Sequence, residues 1–152
     1  MEYRILVINP GSTSTKYALY DGLQEKLINT IRHNHDDLDK YQSIGDQFEF
    51  RSNLIENGLV QAGIPVSSLD CVIGRGGLLK SIPGGVWQVN KEMIEDLQRA
   101  ERGEHASNLG GIIASSIAEK AKAPSFIADP VVVDEMNDLS RISGHAELPR
   151  LS

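Results

Sequence analysis

The stretch Arg4-Ile5-Leu6-Val7-Ile8-Asn9-Pro10-Gly11-Ser12-Thr13-Ser14-Thr15-Lys16-Tyr17-Ala18-Leu19-Tyr20 decides how the chain is read. Its first half is a compact β-branched apolar run that stops at Pro10-Gly11, the pattern of a buried strand entering a turn. The second half, from Lys16 to Tyr20, resumes strand character and ends at the turn dipeptide Asp21-Gly22; Lys26-Leu27-Ile28-Asn29-Thr30-Ile31 then reads as a third strand. Between the first two strands lie one glycine, four hydroxyls, one amide and one amine, in residues 9–16. Such a turn can present backbone N–H groups and hydroxyls to phosphate oxygens, with the lysine adding a point charge. A polar hairpin turn is the plainer account of the same composition. It is not a Walker A loop, which needs a second glycine before the lysine and a helix after it.

Beyond these strands, Phe48, Leu54, Ile55, Leu59 and Val60 fall at helical spacing within residues 46–62, and Gly63 stands at the cap position. Cys71-Val72-Ile73 predicts a short strand interrupted by Gly74-Arg75-Gly76-Gly77, and Val86-Trp87-Gln88-Val89 another after Pro83-Gly84-Gly85. Residues 91–102 and 107–122 carry helical patterns, through Met93, Ile94 and Leu97 in one and Leu109, Ile112, Ile113 and Ile117 in the other. Ser125-Phe126-Ile127-Ala128 is a last strand, closed by Asp129-Pro130. The mixture predicts an α/β domain with helices packed against a mixed sheet. Residues 137–152 are polar, contain Gly144 and Pro149, and show no apolar period, so no closing element is expected and the architecture reads as stopping part-way.

With 152 residues, 40% apolar and 24% charged, the chain has the size and composition of one folded domain rather than of a disordered segment. A formal charge of −6 argues against a sequence-independent nucleic-acid binder, which needs clustered cations to neutralise phosphates. The lone Cys71 cannot close an intrachain disulfide and no cysteine pair suggests zinc, so a reducing, cytoplasmic setting is expected. No apolar run approaches the ~20 residues of a membrane helix, and export or membrane spanning is not expected.

The string Val7-Ile8-Asn9-Pro10-Gly11-Ser12-Thr13-Ser14-Thr15-Lys16 resembles the opening signature of the acetate and butyrate kinases, within the superfamily of acetate and sugar kinases, heat-shock chaperones and actin. Acetate kinases usually carry alanine in place of Pro10, and Pro10 with Thr15 is closer to the butyrate branch. The resemblance implies a ribonuclease H-like, actin-type ATPase N-terminal lobe over residues 1–152. A second lobe, with the adenosine site and another catalytic arginine, would lie outside this chain. It also implies phosphate transfer between ATP and a short-chain fatty acid, butanoate giving butanoyl phosphate and ADP, with Mg²⁺ near Asp129. Acetate or propionate as acceptor, and a non-catalytic regulatory or assembly module on a half kinase scaffold, are the alternatives. Small-molecule partners and a homo-oligomer formed through the other lobe complete the expectation.

Carried over residue by residue, the resemblance makes Asn9, Ser12, Ser14 and Lys16 phosphate-binding. Gly74-Arg75-Gly76-Gly77-Leu78-Leu79-Lys80-Ser81-Ile82-Pro83-Gly84-Gly85 is similar to the butyrate kinase segment where acetate kinases have Val-Val-His-Gly-Gly. Arg75, a planar fork suited to carboxylate or phosphate, becomes catalytic; Gly74, Gly76 and Gly77 line the substrate pocket, with Gly74 leaving room for the longer acyl chain. A solvated arginine on a glycine-rich loop is the plainer account. Phe126-Ile127-Ala128-Asp129-Pro130 resembles the strand bearing the catalytic aspartate of acetate kinases, although strand-end aspartates often cap turns. His105-Ala106-Ser107-Asn108 resembles His-Asn-Pro-Pro-Asn, which adds His105 and Asn108 to the pocket, against an N-cap by Ser107. His33 and His35 lack a third ligand and read as surface residues; His145 carries no legible signal.

Overall fold

The computed structural model describes residues 2–145, 147, 148 and 150. Strands β1 (Arg4–Pro10), β2 (Ser14–Asp21) and β3 (Gln24–Arg32) form an antiparallel meander. Then follow the short helix α1 (His35–Leu38), a 3₁₀ turn Gly45–Gln47, α2 (Phe48–Gln61), β4 (Cys71–Arg75), β5 (Val86–Gln88), α3 (Lys91–Arg99), α4 (Asn108–Ala121) and β6 (Ser125–Ala128). The six strands make one sheet in the order β3-β2-β1-β4-β6-β5. Its centre is parallel, β1 with β4 and β4 with β6, while both flanks are antiparallel. This is the mixed sheet with packed helices that the sequence predicts.

Period-2 alternation sorts the central strands into two faces. Leu6, Ile8, Tyr17, Leu19 and Val72 are buried together with Ile55 and Leu59 of α2 and Leu109, Ile113 and Ile117 of α4, so one face is covered by helices and holds the core. Each such aliphatic side chain contributes about 1.5–3 kcal/mol on full burial. Lys120 and Glu56 tie α4 to α2 across that layer at 2.6 Å. The opposite face, with Ile5, Val7, Asn9, Cys71, Ile73, Arg75, Phe126 and Ala128, is half-buried to exposed.

Four local outcomes differ from expectation. The strand after Asp70 does not stop at Ile73: Gly74 and Arg75 continue it, because they pair with Ile127 and Ala128 of β6 and the ladder outweighs glycine's poor strand propensity. The third helix ends at Arg99, where Ala100 turns left-handed at φ 50°. In the polar tail, Asp138–Arg141 forms a 3₁₀ turn capped by the Asn137 side chain; the expectations for Ala146, Pro149, Leu151 and Ser152 lie outside the described residues. Finally, His33 is not a surface residue. It is 8% exposed, its ring meets Phe50 at 5.3 Å, and its Nε2 lies 2.9 Å from Thr15 Oγ1. His35 is exposed, as expected.

Candidate active site

At the carboxyl ends of the parallel strands, on the face without helices, a hollow of about 320 Å³ is lined by Asn9 from β1, Gly74 and Arg75 from β4, and Asp129 just after β6. This is where open α/β sheets bind ligands. Lys16 stands directly opposite Asn9 in the β1–β2 register, so both side chains project on the same face. Thus an amide, two cations and a carboxylate that are far apart in sequence come to one strand-end region. Among the described residues no ion pair joins Arg75 to Asp129, and Arg75 and Lys16 are solvent-exposed.

The loop between β1 and β2 closes through Gly11 N–H donating to the Ser14 carbonyl at 2.7 Å. Beneath it, on the helix face, lies the guanidinium of Arg51, fully buried at 0% exposure. Nη1 donates to the carbonyls of Gly11 (2.8 Å) and Ser14 (3.1 Å) and to Thr15 Oγ1 (3.1 Å). Nη2 donates to the Ser12 carbonyl at 3.1 Å and to Gln47 Oε1 at 2.8 Å, and Nε to the same Gln47 oxygen at 3.0 Å. Burial pulls the Arg51 pKa down from its ordinary value, yet a guanidinium stays charged at neutral pH. Burial, and then the nearby Arg51 charge, push the His33 pKa down, so the imidazole under this loop is held neutral; Asp37 opposes only in part. Arg51, Gln47, Thr15 and His33 were not legible as site residues. The available signal was that Arg51 stands four residues before Ile55 and eight before Leu59, on the buried stripe of α2.

The glycine segment behaves differently from expectation. A side chain at Gly74 would run into the carbonyl of Gly110 in α4, and one at Gly110 would run into the Arg75 carbonyl. Gly74 lines the hollow with backbone, but its missing side chain lets β4 and α4 touch; it does not open space for an acyl chain. Gly76 is closed off by Pro130 and Ile127, and Gly77 by Asn108 and Leu97. All three glycines are therefore packing positions.

Asp129 has φ 38°, a left-handed conformation that non-glycine residues adopt at a cost. Its Oδ1 accepts the Gly85 N–H at 2.8 Å and its own N–H donates to the Gly85 carbonyl at 3.0 Å, which anchors the carboxylate against the loop before β5. His105 and Asn108 line a different cavity, also about 320 Å³, shared with Ile44, Phe48, Leu97 and Ile112 on the helix side of the sheet. Asn108 there binds loop backbone, accepting the Leu78 N–H at 2.8 Å and donating to the Gly103 carbonyl at 3.0 Å. Ser107 makes no side-chain cap bond; its hydroxyl lies 2.6 Å from His105 Nδ1. The predicted substrate-pocket set is thus not brought together: Gly74 lines the strand-end hollow, His105 and Asn108 line the helix-side cavity, and Gly76 and Gly77 line neither.

Among the described residues Asp129 is the one carboxylate lining the strand-end hollow, and no group of three or more His, Cys, Asp or Glu could hold a metal by itself. That donor set fits Mg²⁺ of the kind bound by one carboxylate and completed by substrate phosphates and water. Nor, among those residues, is any helix long and apolar enough to cross a membrane.

A meander followed by helix-linked parallel strands, with a polar site at the strand ends, is the architecture of an actin-like ATPase lobe. An acetate kinase from Entamoeba histolytica superposes with a TM-score of 0.56 at 14% identity, covering 95% of this chain and 39% of that one. The Aquifex aeolicus Ppx/GppA phosphatase does so at 0.50 and 15% identity, covering 85% of this chain and 54% of that one. At such identities the likeness concerns the fold alone. In sequence, the chain is similar over its whole length to butyrate kinases: it is 55% identical over 150 residues to butyrate kinase 1 of Clostridium acetobutylicum, which covers 99% of this chain and 42% of that protein. The chain therefore spans less than half the length of that curated relative. No family model matches it.

Proposed function

We propose that the chain is the N-terminal lobe of a two-lobe carboxylate kinase that transfers phosphate between ATP and butanoate, giving butanoyl phosphate and ADP. The observation that carries this reading is the meeting of Asn9, Arg75 and Asp129 at one strand-end hollow, with Lys16 beside them, in a chain more than half identical to a butyrate kinase. In-line transfer asks a protein for positioning and charge neutralisation. A butanoate oxygen attacks the γ-phosphorus, the bond to the ADP oxygen breaks, and the electron pair leaves with ADP. The acceptor is already ionised at neutral pH, so no base is required.

In this reading Lys16, Ser12, Ser14 and Asn9 hold phosphate oxygens, and Arg75 holds the carboxylate or the transferring phosphoryl group. Asp129, fixed by Gly85, aligns the acceptor or the metal shell. Bound Mg²⁺ would supply neutralisation of the nucleotide oxygens. His105 and Asn108 line the helix-side cavity, where Asn108 braces the loop backbone at Leu78 and Gly103, and acyl length is not set by Gly74. The test is acyl phosphate formation from ATP with acetate, propionate or butanoate, using a chain extended to the length of its relatives. Butanoyl phosphate should form fastest, and the 152-residue chain, which spans 42% of its curated relative, should give no turnover by itself if closure over the nucleotide needs the remaining length. A folded, extended chain that phosphorylates none of the three acids would contradict the proposal.

A further inference from the structure

Arg51 combines two properties that seldom coexist. It is completely buried, and every acceptor it uses is neutral: three backbone carbonyls, one hydroxyl and one amide oxygen. Buried cations are ordinarily paired with a carboxylate. Here the donors are satisfied but the net charge is not cancelled.

The carbonyls it holds also dictate where the loop's amides point. No described peptide bond is cis. In a trans peptide the N–H lies opposite the preceding carbonyl, so fixing the Gly11 and Ser12 carbonyls on the helix side turns the Ser12 and Thr13 N–H groups away from it. Among the described residues neither of these N–H groups has a partner within the chain. Both sit in the loop at the carboxyl end of β1, next to Asn9.

We propose that Arg51 is a positioning residue for phosphate: it aims the Ser12 and Thr13 amides at a phosphate oxygen, and its uncancelled charge gives the loop its preference for anions. This rests on the reading of residues 9–16 as the phosphate side of the site. Gln47 is the natural partner in such a device, because a neutral amide accepts two guanidinium bonds without quenching the charge. Thr15 and His33 complete the support from the strand side, with the His33 N–H donating to the Thr13 carbonyl at 2.9 Å.

Gln47→Glu separates the two possible roles of Arg51. The substitution keeps the shape and the acceptor oxygen, so a purely structural arginine would hold the loop as well or better. The charge, however, would be cancelled. Tripolyphosphate binding to the 152-residue chain is read by the amide shifts of Ser12 and Thr13 and by calorimetry. We expect Gln47→Glu to bind roughly tenfold more weakly at low salt with its melting temperature held or raised, and Arg51→Met to lose binding altogether. If Arg51→Met fails to fold, Gln47→Glu decides alone. Unchanged affinity in folded Gln47→Glu would overturn the role given to Arg51 while leaving the phosphate reading standing. Wild-type protein whose Ser12 and Thr13 amides ignore tripolyphosphate would overturn both.

Discussion

Two glycine-containing segments flank the candidate site, and they are built on opposite plans. In residues 11–14 the backbone is held from below by the side chain of Arg51, and its outward side is left open. In residues 74–77 the backbone is held by direct contact with α4 and the Asp129-Pro130 turn, and the glycines exist because no side chain fits. In sequence both stand as glycine-containing interruptions after an apolar strand run. One offers donors to a ligand, whereas the other offers only Arg75, placed at the end of β4 by the packing behind it.

The largest expected effect breaks the second plan. Gly74→Val forces a branched side chain into the Gly110 carbonyl, which helix backbone cannot yield cheaply. It should cost about 3 kcal/mol or more and lower the melting temperature by about 10 °C or more. A variant that melts like wild type and merely prefers a shorter acid would restore Gly74 as a pocket residue. The first plan is broken by Arg51→Met, which strands the Gly11, Ser12 and Ser14 carbonyls and Gln47. About 2–4 kcal/mol should be lost in urea titrations, against less than about 0.5 kcal/mol for Ser12→Ala. Equal losses in the two variants would mean that the brace under the loop is not what holds it.

The smallest effect concerns pH. His33 binds a proton less readily in the folded chain than in the unfolded one, so its contribution is fully present above the unfolded value of about 6.5 and declines as pH falls below it. Denaturant midpoints measured from about pH 7.5 to about pH 5.5 should therefore fall more steeply for wild type than for His33→Gln. Parallel curves would indicate that the buried ring carries no such penalty.

How far the sequence could be read follows from the same physics. β1, β2, β3 and β6 were legible because their apolar runs end at turn residues, and α2 and α4 because their stripes repeat at helical spacing. The extension of β4 through Gly74 and Arg75 was not, since it depends on ladder partners more than fifty residues downstream. Asn9, Lys16, Arg75 and Asp129 stand in motifs, and the fold gathers them at the ends of neighbouring strands. Arg51 and His33 were missed because a charged residue and a histidine near polar neighbours read as solvated. Only the loop carbonyls and Thr15 hydroxyl, invisible to any residue pattern, make their burial affordable.

The central claim is that the chemistry takes place at the strand-end hollow, and Asp129→Asn tests it most directly. Asparagine tolerates the left-handed backbone at this position and can still accept the Gly85 N–H, so the fold should survive. In the extended chain the substitution should lower butanoyl phosphate formation by at least ~100-fold with the melting temperature unchanged. Wild-type turnover in that variant would reduce Asp129 to a cap for the turn at Gly85 and contradict the account.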